Sequence, residues 1–253
     1  MNILLWVGIA FAHKPSFSEG QYSSADAPYQ VQDPNISIVV YHEVTCESPA
    51  LWMTLNPDPE VPLYIQLGIP VIERLGNYRP SVALFAEGLP PLDEEDLPFD
   101  VPDNLGGMIF DTSDVEEPGD FFEPFTQTQS WIVMEEYVEL ETTEPAYIVA
   151  WNPEQTTGKL WVATGEIEDF SSDDWSSFPI WLEKVQAFHE VGEGTPVTTG
   201  EEESCVESQA EADAPSAKAS KTRCSTSPAP ATLTLGWLLA GLISLRRRGS
   251  CQR

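Results

Sequence analysis

Residues 36–44 read Ile-Ser-Ile-Val-Val-Tyr-His-Glu-Val. β-Branched and aromatic residues dominate. The period-2 pattern of a strand puts Ile36, Ile38, Val40, His42 and Val44 on one face and Ser37, Val39, Tyr41 and Glu43 on the other. Comparable runs follow at 51–55, 63–69, 81–86, 107–110, 130–134, 137–140, 146–151 and 159–164, separated by Pro, Gly, Asn and Asp. No helical periodicity intervenes, so the crossover helices of a parallel α/β sheet are missing. The pattern predicts an all-β domain, an antiparallel β-sandwich or jelly roll, over residues 13–190.

One helix is expected to close that domain. Phe178, Trp181, Leu182, Val185 and Phe188 recur at three- and four-residue spacing, and Pro179 suits a first turn, where its missing N–H costs nothing. The apolar stripe predicts packing on the edge or open end of the sandwich. Residues 71–78 read as a short helical turn ended by Gly76. Residues 13–29 read as mostly extended or irregular, and 87–104, with its prolines and the acidic run 93–96, as extended and exposed.

The formal charge is −29, and between His13 and Glu190 only Lys14, Arg74, Arg79, Lys159 and Lys184 are basic. A nucleic-acid partner is therefore not expected, because binding phosphates needs cations. Clustered carboxylates instead point to calcium, for which Asp111, Asp114, Glu116 and Asp120, with Glu117, form the candidate loop. Residues 93–96 and Glu168 and Asp169 with Asp173 and Asp174 are further oxygen-rich stretches, none with EF-hand spacing.

Both ends of the chain carry addresses. Residues 1–12 are apolar and end Ala10-Phe11-Ala12, which reads as a signal peptide cleaved after Ala12. Residues 191–230 are rich in Gly, Thr, Glu, Ser and Ala and read as a disordered stalk. Residues 231–248 form a hydrophobic helix and an arginine cluster, followed by a tail at 249–253. The apolar run 231–245 spans about 22 Å as a helix, against about 30 Å of hydrocarbon, which makes a short transmembrane helix. Arg246, Arg247 and Arg248 orient it with the C-terminal end facing the cytoplasm and the domain exported to the cell envelope or outer surface. Cys224-Ser225, the prolines at 228 and 230, the Trp/Leu/Ala/Gly helix and the terminal arginines together resemble the C-terminal sorting signals of myxobacterial exported proteins, the MYXO-CTERM type. That resemblance covers about the last thirty residues, says nothing about the folded domain, and implies processing or attachment at Cys224.

The cysteines at 46, 205, 224 and 251 have no metal-ligand spacing. An exported protein admits a Cys46–Cys205 disulfide, one of three connectivities open to Cys46. The chain has no Gly-x-Ser-x-Gly elbow, His-Glu-x-x-His, phosphate loop or dinucleotide fingerprint. The reading is thus a binding or structural component of the cell surface rather than an enzyme. Trp52, Tyr64, Trp131, Tyr147, Trp151 and Trp161 are divided between the core and a face for a carbohydrate or protein ligand.

The alternative is copper. Cleavage after Ala12 makes His13 the N-terminal residue, whose amine and imidazole suit Cu(II). This is similar to the copper brace of lytic polysaccharide monooxygenases and some periplasmic copper carriers, with His42 or His189 supplying the third nitrogen.

Overall fold

The computed structural model describes residues 13–92, 97–171, 175–191 and 204–205. Eleven strands and one α-helix make up the fold: β1 (Lys14–Ser18), β2 (Tyr29–Gln30), β3 (Ile38–Val44), β4 (Ala50–Leu55), β5 (Leu63–Pro70), β6 (Ser81–Ala86), β7 (Gly106–Phe110), β8 (Gly119–Glu123), β9 (Thr128–Val138), β10 (Ala146–Trp151), β11 (Gly158–Thr164) and α1 (Phe178–Phe188). The strands form a six-stranded sheet, β1-β3-β11-β5-β9-β8, and a five-stranded sheet, β2-β4-β10-β6-β7. Val40, Ile65, Leu67 and Val162 from the first and Met53, Val82, Leu84 and Ile148 from the second belong to one buried core. The arrangement is consistent with a β-sandwich.

Sequence periodicity located most strands, and the structure corrects the picture at four points. The named strand pairs are antiparallel except two, β1 with β3 and β2 with β4, which are parallel. Both parallel partners come from 13–30, where no strand was expected, because Lys-Pro-Ser-Phe-Ser and Tyr-Gln are too short and polar to show alternation. The separate runs at 130–134 and 137–140 are one strand, β9, paired with β5 across a register shift at Leu67/Gly68. The helical turn at 71–78 is a 3-10 turn, Glu73–Leu75.

The third correction concerns α1. It lies over the outer face of the six-stranded sheet, where Val185 and Phe188 pack with Val39, Tyr41, Trp161 and Ala163. Burial of both faces explains why β3 alternates between two apolar surfaces rather than between core and water, with Val40 at 0 % and Val39 at 4 % exposure. The helix ends in a Schellman geometry: Glu190 adopts φ 56°, its N–H donates to Ala187 O, and Val191 N–H donates to Gln186 O. Glu190 then receives two hydrogen bonds from Arg74, at 2.8 and 2.5 Å, and an ion pair from Lys159 at 3.0 Å. Burial alone raises the Glu190 carboxyl pKa, but these two cations hold it below its ordinary value.

The fourth concerns the 87–104 segment, which is not simply exposed. Leu92, Leu97, Phe99 and Val101 cover the outer face of the five-stranded sheet, over Trp52, Phe85, Val149 and Trp151. Phe99 is the anchor, edge-on to Trp52 at 5.2 Å and to Trp151 at 5.1 Å. Phe99→Ala is expected to cost about 2 kcal/mol, below the range for a fully buried Phe because this ring is half-buried. Urea unfolding followed by tryptophan fluorescence checks it, and native fluorescence should also shift to the red.

Cys46 and Cys205 are disulfide-bonded, with Cα atoms 5.2 Å apart. Cys205 N–H also donates to Gln155 O at 3.0 Å, and Ser204 bridges Thr156. These contacts tie residues 204–205 to the sandwich. Among the described residues no helix is long and apolar enough to cross a membrane. The signal peptide 1–12, nearly all of the stalk 191–230, Cys224, the run 231–248 and the tail 249–253 lie outside the described residues.

Candidate functional site

A cavity of about 170 Å³ lies between α1 and the outer face of the six-stranded sheet. Val39 and Tyr41 of β3 and Trp161 of β11 line the sheet side; Phe178, Trp181 and Val185 line the helix side. Phe121 and Glu123 of β8 contribute, as do His13, Glu168 and Phe170, and the exposed Phe125.

The sheet side depends on a missing side chain. Gly68 of β5 is the register partner of Trp161, and a Cβ there would overlap the Trp161 indole. Glycine weakens a strand interior, but here it lets the indole lie across the neighbouring strand. Gly68→Ala is expected to displace Trp161, destabilise the domain by about 1–3 kcal/mol and reshape the cavity. Calorimetry and the Trp161 indole N–H resonance check it.

A hydrogen-bond chain fixes the polar end. His189 Nδ1 lies 2.9 Å from Val185 O, and since a carbonyl only accepts, Nδ1 carries the proton. Burial lowers the His189 pKa to about 4, so the ring is neutral at pH 7 and Nε2 accepts from the Ser130 hydroxyl at 3.0 Å. Trp161 Nε1–H donates to the same hydroxyl at 3.1 Å. Sheet and helix are thus joined through Trp161, Ser130 and His189.

The other histidines are also paired with serines. His42 Nε2–H donates to Ser48 O at 3.1 Å, which leaves Nδ1 to accept from Ser18 Oγ at 3.1 Å. His13 Nδ1 meets Ser37 Oγ at 2.5 Å. Burial lowers both pKa values to about 4, an effect that the Glu168 charge opposes at His13. His42 sits on β3 facing the inter-sheet core with 0 % exposure, whereas His13 and His189 line the cavity on the other side of that sheet. Of the two histidines expected to complete a copper set with His13, His42 is thus on the opposite face of the sheet and His189 lines the same cavity as His13. Among the described residues no group of three His, Cys, Asp or Glu side chains is arranged to hold a metal ion.

The same holds for the expected calcium loop. Asp111 closes a local turn, accepting from Ser113 N–H at 3.0 Å, Ser113 Oγ at 2.8 Å and Ser81 Oγ at 3.5 Å. Those bonds, the one from the Ser113 backbone foremost, hold its carboxyl below the ordinary value. Asp114, Glu116 and Asp120 do not join it in a metal cluster, and residues 93–96, Asp173 and Asp174 lie outside the described residues.

The basic side chains are largely committed to internal contacts. Arg74 and Lys159 hold Glu190, Lys184 meets Glu19 at 2.9 Å, and Arg79 donates to the carbonyls of Val115, Gly76 and Tyr78. Among the described residues no Lys or Arg lines the cavity. Two carboxylates do, and burial, aided by the Glu168 charge, raises the Glu123 pKa even though the Phe125 N–H donates to it.

Of the aromatic residues considered for a binding face, Trp52, Tyr64, Trp151 and Trp161 are buried, while Trp131 and Tyr147 pack against core clusters. Sequence reasoning missed Ser130, Phe121 and Glu123 as cavity residues and Gly68 as the position that admits the Trp161 indole, and took Trp181 and Val185 only as core. Nothing in the sequence marks them as one site, since they come from β8, β9, β5 and α1. No protein family matches the chain, and no curated relative aligns with it significantly.

Proposed function

We propose that this protein is an exported β-sandwich binding component held at the cell envelope by its C-terminal segment, and that the cavity beneath α1 is its ligand site. The observation that carries the reading is the cavity itself, with aromatic walls and a few converging polar groups. Its size suits one ring or a small head group, since an engineered cavity of about 150 Å³ accepts benzene. The Cys46–Cys205 bond supports an oxidising compartment, in keeping with residues 1–12 as a signal peptide and 231–248 as a sorting helix.

Two measurements test the two halves. Cells that make the protein naturally should carry a chain starting at His13, oxidised at Cys46–Cys205 and cut by protease added to intact cells. A reduced, full-length cytosolic chain would sink the export reading. Toluene should shift the methyl resonances of Leu182 and Val185, and Val185→Phe, which fills the space, should abolish the shift. If toluene leaves those methyls unmoved, the cavity is not a binding site.

A further inference from the structure

We infer that the cavity beneath α1 takes an aromatic ring that carries its own hydrogen-bond donor, a phenol or indole type of ligand, in preference to a ring of the same size without one. The inference rests on the cavity being the ligand site and adds the chemical class of the ligand.

The polar end of the cavity carries the argument. Ser130, His189 and Trp161 all line it, and each is at most 4 % exposed. A serine hydroxyl has one hydrogen to give and two lone pairs with which to accept. The hydrogen is committed: His189 Nδ1–H donates to Val185 O, so Nε2 is an acceptor and takes the Ser130 hydrogen at 3.0 Å. One lone pair is committed too, to Trp161 Nε1–H at 3.1 Å. The second lone pair has no partner among the described residues. Ser130 thus offers acceptor capacity alone, and a ligand O–H or N–H completes its bonding. A ring without a donor leaves that capacity buried and unmet, which costs free energy.

The walls set the rest of the ligand. Tyr41, Trp161, Phe178 and Trp181 line a space of about 170 Å³, which suits one flat ring in offset or edge-on contact with theirs. The charged groups of the lining do not call for a charged ligand. Glu123 accepts from Phe125 N–H at 3.0 Å, Glu168 is engaged within the fold, and cleavage after Ala12 adds the His13 ammonium to the same lining. Catalysis by the Ser130–His189 pair is less well supported. The same Ser–His pairing recurs at His13 and His42 as simple satisfaction of an imidazole nitrogen, and burial makes His189 a weak base.

The test compares phenol with fluorobenzene, a ring of nearly the same size without the donor, by titration calorimetry and NMR on the full mature chain at pH 7. Phenol is expected to bind at least about threefold more tightly, although water holds it more strongly, and to shift the Trp161 indole N–H together with the Leu182 and Val185 methyls. Ser130→Cys keeps a hydrogen for His189 but offers only a weak sulfur acceptor. It should erase the preference while leaving fluorobenzene affinity within about twofold. If that variant does not fold, the ranking on the unaltered protein decides. Equal or tighter binding of fluorobenzene, or binding of toluene but not phenol, overturns the donor proposal and leaves the cavity as an apolar site. Phenol binding that leaves the Trp161 N–H unmoved, or a preference that survives Ser130→Cys, also overturns it. Failure of phenol, fluorobenzene and toluene alike to shift Leu182 and Val185 removes the cavity reading as well.

Discussion

Acidifying the protein from pH 7 to pH 4 is expected to unfold it. His13, His42 and His189 each fall from an ordinary pKa of 6.5 to about 4 in the folded state, with burial the largest cause in every case. The unfolded chain therefore binds protons that the native state refuses, and stability drops as pH falls through the window from 6.5 to 4. Above 6.5 both states are neutral and the contribution is complete; below 4 both are protonated and the loss levels off. At about 1.4 kcal/mol per pH unit each histidine accounts for about 3 kcal/mol, so the three together approach 10 kcal/mol, comparable with the whole stability of an ordinary domain. The slope near pH 5 approaches about 4 kcal/mol per pH unit. Glu190, whose folded pKa is depressed, loses its contribution at still lower pH and acts in the same direction. Glu123, with a raised pKa, opposes the trend. Urea unfolding at pH 4.5 to 7.5 checks the expectation; a pH-independent midpoint would refute it. His42→Gln should flatten the profile by about one proton.

Breaking the Cys46–Cys205 bond is expected to cost about 2–5 kcal/mol, within the usual range for a native disulfide. The cross-link closes a separation of 159 residues, so it removes much freedom from the unfolded chain. In the native state Cys46 lies in the turn joining β3 to β4, where Thr45 and Ser48 exchange backbone hydrogen bonds, each of 3.2 Å. His42 Nε2 donates to Ser48 O in that same turn. The two anchors hold the same turn, so a Cys46→Ser, His42→Gln double variant should lose less than the sum of the single losses. Thermal melts of the oxidised, reduced and substituted proteins check this, and strict additivity would show that the anchors act independently.

How much of this was legible depended on whether the signal was local. The alternation at 36–44 carried enough information for β3, as did the matching runs for β4, β6, β10 and β11, because a sheet residue two positions away faces the same way whatever it packs against. β8, Gly-Asp-Phe-Phe-Glu, was not legible, since both phenylalanines are adjacent and no period shows. The stripe from Phe178 to Phe188 announced a helix with one buried side, but not the surface that buries it. The histidines were visible as residue types; that each would find a serine was not, because Ser18, Ser37 and Ser130 lie 24, 24 and 59 positions away.

The sequence by itself determined most of the strands, the acidic charge and the amphipathic helix, and it led to export signals at both ends as an expectation. These rest on composition and short-range periodicity, which the chain carries residue by residue. Only the tertiary structure decided that both outer sheet faces are covered, that 13–30 adds parallel strands, that Cys46 meets Cys205, and that Tyr41, Trp161, Phe178 and Glu123 line one cavity. Each of those depends on which surfaces meet, and a cavity in particular is the space left where α1 and the sheet fail to touch. No local pattern encodes such a gap.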